Sequence, residues 1–504
     1  MMNLKERNIV KKDWRKVELR IALCYPNIYR VGMSGFTVQL LYALLNSRED
    51  VVCERFFLPL KGEPILSLES HQPLSRFDVI AFTFQFEEDY FNALKMLLDS
   101  GIEVLRWKRK LKPLIVAGGP CITENPLPLK NFIDLFIIGE LEPILDFFVE
   151  GLKQALKEKS LRIFEKKDGF FPAEALKARR VYIENLDEAP HPLAEILPEV
   201  DFKSPYMPIF GKTFMAEVVR GCPRKCRFCL ITHIGWPMRF RSLGKLEDII
   251  FEGLRFTGVS KVTLVGAGLA YYPKLEDLCE YIVSLNSGNV EISVPSLAVD
   301  NVSEKLFKCL VKGRQRTVTF APEVGCWQLR KSLGKHFKDE DVVEAAKLAF
   351  KAGIKNVKLY FMVGVPGETF EDLDKIVNLA KKVADAGFGF KSVRLSINPL
   401  IPKPHTPLQL YKVKPLKYLK EAYKRIISGL KNDRRFAVEI LNPKHAQIQA
   451  ALSIGDEKFG EVILETVKHG GGLAGWNRAL KVLNVKFEKL LNIKEKPNWS
   501  IIQI

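Results

Sequence analysis

Three of the nine cysteines in this 504-residue chain lie within eight residues, at a spacing that could bind a metal. Cys222, Cys226 and Cys229 form a C-x3-C-x2-C pattern inside the stretch RGCPRKCRFCLITH. Thiolates at this spacing can converge on one centre. Three thiolates suit a [4Fe-4S] cluster in which one iron stays open and can bind a substrate. The cysteine pattern therefore predicts an iron–sulfur centre.

Two other interpretations of these cysteines stay open from the residues alone. A structural zinc site needs four ligands, often arranged as two pairs. No second pair follows, because the next cysteine, Cys279, lies in a predicted helix, and His233 is the candidate for a fourth ligand. The cysteines could also be three unrelated free thiols. A disulfide framework is disfavoured, because the cysteine count is odd and the other cysteines are widely spread.

The cysteines directly follow the first of six apolar segments that read as parallel strands with helices between them. Six βα units predict a partial (β/α)6 TIM-type barrel over residues 213–407, two units short of eight. In such barrels the chemistry takes place at the carboxyl ends of the strands. The predicted strands are residues 213–219, 261–267, 290–297, 316–323, 356–363 and 392–400.

The rest of the chain is predicted to form three further regions. Alternating strands and helices in residues 1–150 predict a doubly wound, Rossmann-like α/β domain. Residues 151–212 are lysine-rich and then proline-rich, which is typical of a linker. Residues 408–504 predict a mainly helical extension. Its clearest helix, residues 416–430, has an apolar face and a lysine-bearing face.

Composition and charge limit the class of protein. Hydrophobic residues make up 47% and charged residues 27%, which is ordinary for a soluble globular protein. No apolar run reaches the roughly 18 residues of a membrane span, and the first residues lack the apolar core of a secretory signal. We therefore expect a cytoplasmic protein with no membrane partner. The net charge of +18 indicates either a lysine-rich surface or an acidic partner such as RNA, although no RNA-binding motif is present.

With Phe228, the cysteines complete a C-x3-C-x-Φ-C pattern, where Φ is aromatic, and this pattern resembles the radical S-adenosylmethionine (SAM) superfamily. The resemblance implies that the open iron of a [4Fe-4S] cluster binds SAM. The reduced cluster would cleave SAM to a 5′-deoxyadenosyl radical, which activates a C–H bond of the substrate. A flavodoxin or ferredoxin would supply the electron.

The same resemblance implies SAM contacts at the ends of strands. Glu323 matches a residue that binds the ribose hydroxyls, and Arg330 one that pairs with the SAM carboxylate. The family's Gly-Gly-Glu turn lacks its glutamate here, so backbone carbonyls would bind the SAM amino group. No catalytic residue is predicted. The implied SAM-binding residues are Phe228, Gly266, Ala267, Gly268, Ser296, Glu323, Arg330 and Gly364.

Residues 408–504 are similar to the C-terminal segment of cobalamin-type radical SAM proteins, which implies that they cap the barrel mouth and shape the substrate site. The N-terminal domain resembles the cobalamin (B12)-binding domains that precede many radical SAM barrels. Such domains carry D-x-H-x-x-G with histidine as the lower cobalt ligand, and this chain has Tyr29 at that position. The resemblance implies cobalamin as a further cofactor and methyl transfer as the reaction, while a retained fold with another role stays open. The implied cobalamin-binding residues are Asn27, Tyr29, Gly32, Thr83, Gly118 and Gly119.

Two alternative functions remain open at this stage. Methylthiotransferases, which modify tRNA, hold a second cluster with three N-terminal cysteines, and this chain has Cys24, Cys53 and Cys121. Against this, the third ligand would be expected after the strand that ends at Thr83, where the chain has Phe84. The other alternative is a non-catalytic iron–sulfur protein that binds RNA.

Overall fold

The computed structural model describes residues 4–60, 63–491 and 497–504, and the chain forms two compact units. The N-terminal unit contains the chain up to Lys212 together with the residues from Ala451 onward. The barrel unit is Thr213–Ala450. The predicted region 408–504 is thus divided, because its first part continues the barrel unit and its second part returns to the N-terminal unit.

The N-terminal unit is built on a six-stranded sheet in the order β3-β2-β4-β5-β6-β7. Its strands up to Lys212 are β1 (Glu6–Arg7), β2 (Leu19–Ile28), β3 (Val51–Leu58), β4 (Val79–Thr83), β5 (Leu114–Gly118), β6 (Leu135–Ile137), β7 (Phe170–Pro172), β8 (Ala178–Arg179) and β9 (Leu197–Pro198). Its helices in this part are α1 (Tyr29–Gly32), α2 (Phe36–Asn46), α3 (Asp89–Asp99), α4 (Pro120–Glu124) and α5 (Leu145–Glu158).

The first five strands of this sheet are parallel, and α-helices follow all of them except β3 along the chain. Strands β2, β4 and β5 are almost continuously apolar because a parallel sheet is covered on both faces. The predicted linker is wrong in one respect. Strand β7 pairs antiparallel with β6 and extends the same sheet, so residues 151–212 are part of the N-terminal unit.

The barrel unit contains all six predicted strands. Its strands are β10 (Phe214–Glu217), β11 (Val219–Arg220), β12 (Arg239–Phe240), β13 (Lys261–Val265), β14 (Glu291–Ser293), β15 (Thr317–Glu323), β16 (Asn356–Val363), β17 (Val393–Pro399) and β18 (Phe436–Ile440). Its helices are α6 (Leu230–Ile234), α7 (Leu243–Thr257), α8 (Leu275–Ser284), α9 (Glu304–Lys312), α10 (Trp327–Ser332), α11 (Asp339–Ala352), α12 (Phe370–Ala384) and α13 (Leu416–Leu430), followed by α14 (Pro443–Ile454), which contains the boundary at Ala450.

The barrel strands form two parallel groups, β10-β13-β14 and β15-β16-β17-β18. Strand β18 is a seventh strand that the sequence did not reveal. It pairs in parallel with β17 at the edge of its group, and only its first residue is buried. A short edge strand with so little apolar character gives a weak periodic signal. Helix α13 has the bounds predicted from its amphipathic pattern.

The final segment packs in the N-terminal unit as helices α15 (Phe459–Lys468), α16 (Gly472–Val482) and α17 (Phe487–Leu490) and strand β19 (Ile502–Gln503). Helix α15 packs against α16 and α3, and β19 pairs with β8. Among the described residues, no helix combines the length and the apolar character needed to cross a membrane.

Candidate active site at the carboxyl ends of the barrel strands

The three clustered cysteines lie in one loop, between β11 and α6, just beyond the carboxyl end of β10. The Cys226 side chain is buried, while Cys222 and Cys229 are half-buried. The backbone N–H of Cys229 donates to the carbonyl oxygen of Cys226 at 3.2 Å, which tightens the turn between them. The loop thus holds three thiols at the end of the barrel where chemistry is expected.

Glycines allow the backbone of this cysteine loop to lie directly against its neighbours. At Gly221, whose φ is +76°, an added Cβ would lie 2.3 Å from the carbonyl oxygen of Gly235. At Gly268 it would lie 2.7 Å from the carbonyl oxygen of Gly221 and 3.0 Å from the Cα of Cys222. At Gly334, where φ is +84°, it would lie 2.8 Å from the carbonyl oxygen of Lys225. Contacts of this kind have no room for a side chain.

The spacing of the three thiols does not suit a single metal ion. Across the described ranges, the one group of three or more ligand-bearing side chains within 4.8 Å of one another is Glu87, Cys121 and Glu124. At least one pair of the clustered thiols is therefore further apart. Zinc–sulfur bonds of about 2.3 Å in a tetrahedral site place two sulfurs roughly 3.8 Å apart. At least one pair of these thiols would therefore have to move closer before all three could ligate one zinc ion.

His233 also does not behave as a fourth ligand. Its Nε2 lies 3.2 Å from the backbone oxygen of Cys226. The imidazole thus engages the backbone of the cysteine loop. This contact supports the loop and leaves three thiols as the donor set, as a cluster with one open iron requires.

The electrostatics of the site control when the thiols ionise. Burial raises the pKa of all three thiols, that of Cys226 to about 11. The ammonium group of Lys335 opposes this effect at each of them. The thiols are therefore protonated without metal, and binding of iron must release their protons.

Lys335 is a site residue that the sequence analysis missed. Its Nζ donates to Glu323 Oε1 at 2.6 Å and to the carbonyl oxygen of Ala321 at 2.7 Å. The two side chains are only 12% and 11% exposed. The signal in the sequence was the third basic residue after predicted strand four, in the stretch RKSLGK. Lys335 and Glu323 form an ion pair close to the cysteines, where Lys335 lowers and Glu323 raises the pKa of Cys226 and Cys229.

Glu323 also has an unusual backbone conformation. Its φ is +67°, which is rare for a residue other than glycine, and the pairing of β15 with β16 shifts register just before it. Such strain persists only where surrounding structure enforces it, and it is common at functional sites. The position agrees with the predicted contact of Glu323 with SAM, which stays a prediction.

The predicted role of Arg330 is wrong, because its guanidinium is fully buried and already paired. It donates to Asp339 at 2.6 Å and to the carbonyl oxygens of Pro322, Val324 and Phe337. These bonds hold the turn after β15 and leave the guanidinium inaccessible to a ligand carboxylate. Arg330 therefore stabilises the turn after β15 and has no contact with a ligand in this role.

The other predicted SAM contacts lie at strand ends, as expected. The turn of Gly266, Ala267 and Gly268 follows β13, and Ala267 in it is exposed. Ser296 is exposed in the segment that follows β14. Phe228 packs against an apolar cluster that includes residues near the ends of β15, β16 and β17. The cluster consists of Val324, Leu333, Val365, Leu400 and Leu408.

Gly364 begins the turn after β16 and is fixed by a carboxylate. Its φ is +80°, and its N–H donates to Glu368 Oε1 at 2.7 Å. The same oxygen accepts the hydroxyl of Tyr418 at 2.7 Å. Burial raises the pKa of Glu368 to about 7, so this carboxyl group titrates near neutral pH.

In the N-terminal unit, some of the predicted cobalamin contacts lie at the carboxyl edge of the sheet. Asn27 donates to Asp89 Oδ1 at 2.9 Å, and Thr83 ends β4. Gly118 ends β5, and Gly119 follows it with a φ of +103°, where an added Cβ would lie 2.5 Å from the carbonyl oxygen of Phe84. These residues form one edge that a ligand could cover.

Tyr29 and Gly32 face the core and do not lie at that edge. The Tyr29 side chain is 1% exposed, and its hydroxyl donates to Glu6 Oε1 at 2.7 Å. At Gly32 an added Cβ would lie 2.4 Å from the ring of Phe57. The prediction that these two residues contact cobalamin is therefore wrong, because both pack in the core. Tyr29, at the position of the histidine ligand, points away from the edge where cobalamin would bind.

The geometry also argues against a second cluster on the N-terminal cysteines. Cys53 pairs across the sheet with Ile21, which is three residues from Cys24 on β2. Residues an odd number apart on a strand point to opposite faces. Cys24 and Cys53 thus lie on opposite faces of the sheet and about 10 Å apart along it. They cannot bind one cluster with Cys121.

Comparison with known proteins agrees with this site. The family model described as "Radical SAM superfamily" matches residues 216–380, and "Radical SAM proteins, N-terminal" matches residues 37–183. An uncharacterised protein of Methanocaldococcus jannaschii, MJ0966, is 34% identical over 461 residues, which cover 89% of this chain and 91% of that protein. A tRNA-2-methylthio-N(6)-dimethylallyladenosine synthase of Clostridium botulinum is 24% identical over 65% of this chain and 76% of its own length.

Two solved structures share the fold. The radical SAM methyltransferase TsrM of Kitasatospora setae, with cobalamin and a [4Fe-4S] cluster bound, has a TM-score of 0.55 and 15% identity, and the match covers 79% of this chain and 76% of TsrM. The cobalamin-dependent radical SAM enzyme OxsB, with aqua-cobalamin and SAM bound, has a TM-score of 0.52 and 14% identity over 94% of this chain and 71% of OxsB.

The fold and the site together define an enzyme with a Rossmann-like N-terminal unit and a partial barrel that carries three clustered cysteines. The chain belongs to the radical SAM superfamily. A [4Fe-4S] cluster and SAM are the cofactors of its radical SAM domain, and the resemblance drawn from the cysteine pattern is confirmed.

Replacing Gly334 with alanine should reduce cluster incorporation. The added methyl group would collide with the backbone of Lys225 and displace the cysteine loop. Gly367→Ala is the matched control, because φ there is +78° but the nearest atom to its added Cβ lies 3.7 Å away. Iron and sulfide per chain after anaerobic reconstitution measure the effect. We expect Gly334→Ala to lose at least half of its iron, while equal iron contents in the two variants would contradict a backbone clamp.

Glu368 should make the stability of the protein depend on pH. Because burial raises its pKa from 4.5 to about 7, the folded state favours the neutral carboxyl group. Its contribution is fully present below pH 4.5 and is lost as the pH rises through 7, by up to about 3 kcal/mol. Glu368→Gln keeps an acceptor for Gly364 and should flatten this dependence. Thermal unfolding of the metal-free protein between pH 5 and 8 tests it, and parallel curves for the two proteins would refute it.

Proposed function

We propose that this protein is a cobalamin-dependent radical SAM methyltransferase. The observation that carries the proposal is the pairing, in one chain, of the three-cysteine site with a Rossmann-like unit whose parallel strands β4 and β5 end in the small residues Thr83 and Gly118. Similarity in fold to TsrM and OxsB extends over most of the chain and supports it. Methyl transfer to a substrate carbon is the reaction that this combination would serve.

Cys222, Cys226 and Cys229 would hold the [4Fe-4S] cluster. When bound, the cluster supplies the electron for cleavage of SAM. Glycine-clamped backbone around the loop keeps the three thiols in place, and the proton of each thiol leaves when iron binds. A cluster of this kind fits three thiols that are buried or half-buried in a loop held by close backbone contacts at glycines.

Lys335, and not Arg330, would pair with the carboxylate of SAM. Its ammonium group has three N–H bonds, of which two donate to Glu323 and to the carbonyl oxygen of Ala321. The third can pair with the carboxylate of SAM, and a buried cation binds an anion more strongly than an exposed one. Glu323 would accept the ribose hydroxyls beside it.

Cobalamin would bind at the carboxyl edge formed by Asn27, Thr83 and Gly119. When bound, it supplies the carrier of the methyl group. The chain contributes no lower ligand from Tyr29, because that hydroxyl donates to Glu6 inside the core. Gly119 and its contact with Phe84 keep the edge free of side chains at this point.

The proposal also requires a partner and a compartment. A flavodoxin or ferredoxin would deliver the electron, and a reducing cytoplasm would keep the cluster intact.

Methylthiotransfer to tRNA is the second candidate function. The 24% identity to the synthase of Clostridium botulinum favours it. The opposite faces of Cys24 and Cys53 weigh against it, because a second cluster could not form on them. We therefore rank it below methyl transfer.

Anaerobic reconstitution with iron, sulfide and hydroxocobalamin tests the proposal. After desalting, the protein should retain one corrin per chain. With dithionite and SAM it should then form 5′-deoxyadenosine. Cys226→Ala should lose deoxyadenosine formation by at least about 100-fold but keep the corrin. Tyr29→Phe should match the wild type in both, because its side chain lies in the core.

The outcomes separate the parts of the proposal. Deoxyadenosine without retained corrin would remove the methyl-transfer proposal and leave the radical SAM core. Loss of corrin in Tyr29→Phe would mean that this tyrosine contacts the cofactor. Full activity of Cys226→Ala would contradict the assignment of the cluster.

A further inference from the structure

The segment around α13 carries a large share of the positive charge of the protein. Residues 412–435 contain nine lysines and arginines and two acidic residues, which gives a net charge of +7. The whole chain has a net charge of +18. Such a concentration in 24 residues exceeds what a helix needs for solubility.

Three lysines of α13 and Lys431, the helical C-cap residue that follows it, form one stripe along the exposed face of the helix. Helical residues rotate by about 100° each, so these lysines fall within an arc of about 60°. They extend over roughly 21 Å of the helix axis. The opposite face of the helix is buried and apolar. The stripe consists of Lys417, Lys420, Lys424 and Lys431, all exposed.

The lysine stripe has one acidic neighbour on the helix, Glu421, which lies four residues after Lys417 and three before Lys424. In the parts of the chain that the structure describes, none of its four ammonium groups lies within ion-pairing distance of a carboxylate. Arginines of the same segment behave differently, because Arg425 pairs with Asp374 and Arg435 with Asp385 at 2.6 Å and 2.7 Å. Like charges along one helix face repel each other. An anionic partner would remove this repulsion.

An aromatic pair stands beside the stripe, at the end nearest the site. The rings of Phe370 and Tyr418 lie 5.3 Å apart, and Phe370 is 38% exposed. The guanidinium of Arg425 lies 5.8 Å from the Phe370 ring centroid, and the ammonium group of Lys414 lies 5.3 Å from that of Tyr418. The Tyr418 hydroxyl is bound to Glu368, which fixes the Gly364 turn at the carboxyl end of β16. The stripe therefore starts at the end of the barrel where the cysteine loop lies.

We propose that the lysine stripe of α13 binds the phosphodiester backbone of a single-stranded nucleic acid, with a base stacked on the exposed ring of Phe370 in place of the Arg425 side chain. This rests on the proposed function, for which it names the substrate class. Basic grooves combined with aromatic platforms are the common means of binding single strands. An acidic protein would satisfy the lysines but would supply no base for the aromatic pair.

Binding of a fluorescent 20-nucleotide single-stranded RNA of mixed sequence, and of the DNA of the same sequence, tests the proposal. The full chain is used after anaerobic reconstitution. The stripe variant is Lys417→Gln, Lys420→Gln and Lys424→Gln, which keeps good helix formers. The matched control is Lys355→Gln, Lys382→Gln and Lys391→Gln, which removes the same charge from exposed lysines near the amino ends of β16 and β17 and the last turn of α12.

The stripe variant should bind the oligonucleotide at least about tenfold more weakly at 50 mM salt, and the slope of log affinity against log salt should fall by about 2. The control variant should lose less than about threefold. Phe370→Ala should weaken binding further without changing the salt slope, because stacking releases no counterions. Equal thermal unfolding midpoints for all variants exclude a folding defect.

Equal losses in the stripe and control variants would overturn the proposal, as would displacement of the oligonucleotide by poly-glutamate of equal charge at equal concentration. The second result would assign the stripe to an acidic protein. These outcomes are distinct from failure of the proposed function. Oligonucleotide binding is measured without SAM, and a wild-type protein that forms no deoxyadenosine would still give the binding result.

Discussion

The active-site end of the barrel depends on the close approach of the cysteine loop to the backbone of neighbouring segments. Gly221, Gly268 and Gly334 permit this approach, because a Cβ at any of them would overlap a carbonyl oxygen. The loop after β13 and the turn after α10 thereby hold the cysteine loop from two sides. A cluster ligated by three residues of one loop needs such support, since the loop has no regular structure of its own.

Buried charge organises the rest of the site around this loop. Arg330 donates its hydrogen bonds to Asp339 and to backbone carbonyl oxygens. It thus fixes the turn that positions Glu323 and Lys335, which pair with each other. Arg330 pairs with Asp339 and Lys335 with Glu323, as the cost of burying a lone ion requires. The same principle explains the N-terminal unit, where Glu6 pairs with Arg55 and accepts the hydroxyl of Tyr29.

The sequence predicted those features that depend on local patterns. All six barrel strands and the bounds of α13 followed from periodicity, and the cysteine loop followed from a short motif. The features it did not reveal depend on packing between distant residues. Arg330 was indistinguishable from an accessible arginine until its partners were known, and Tyr29 occupied the histidine position in the sequence but points into the core. Strand β18 is recognised by its pairing with β17, because its own residues show little alternation of apolar and polar types.

Cys222, Cys226 and Cys229 are expected to hold a [4Fe-4S] cluster with one iron open to SAM. Electron paramagnetic resonance of the dithionite-reduced protein, recorded with and without SAM labelled with ¹⁵N at its amino group, tests this most directly. If the open iron binds SAM, SAM changes the cluster signal and a hyperfine coupling to ¹⁵N appears. A cluster signal that is unchanged by SAM, with no coupling to nitrogen, would contradict SAM binding at that iron.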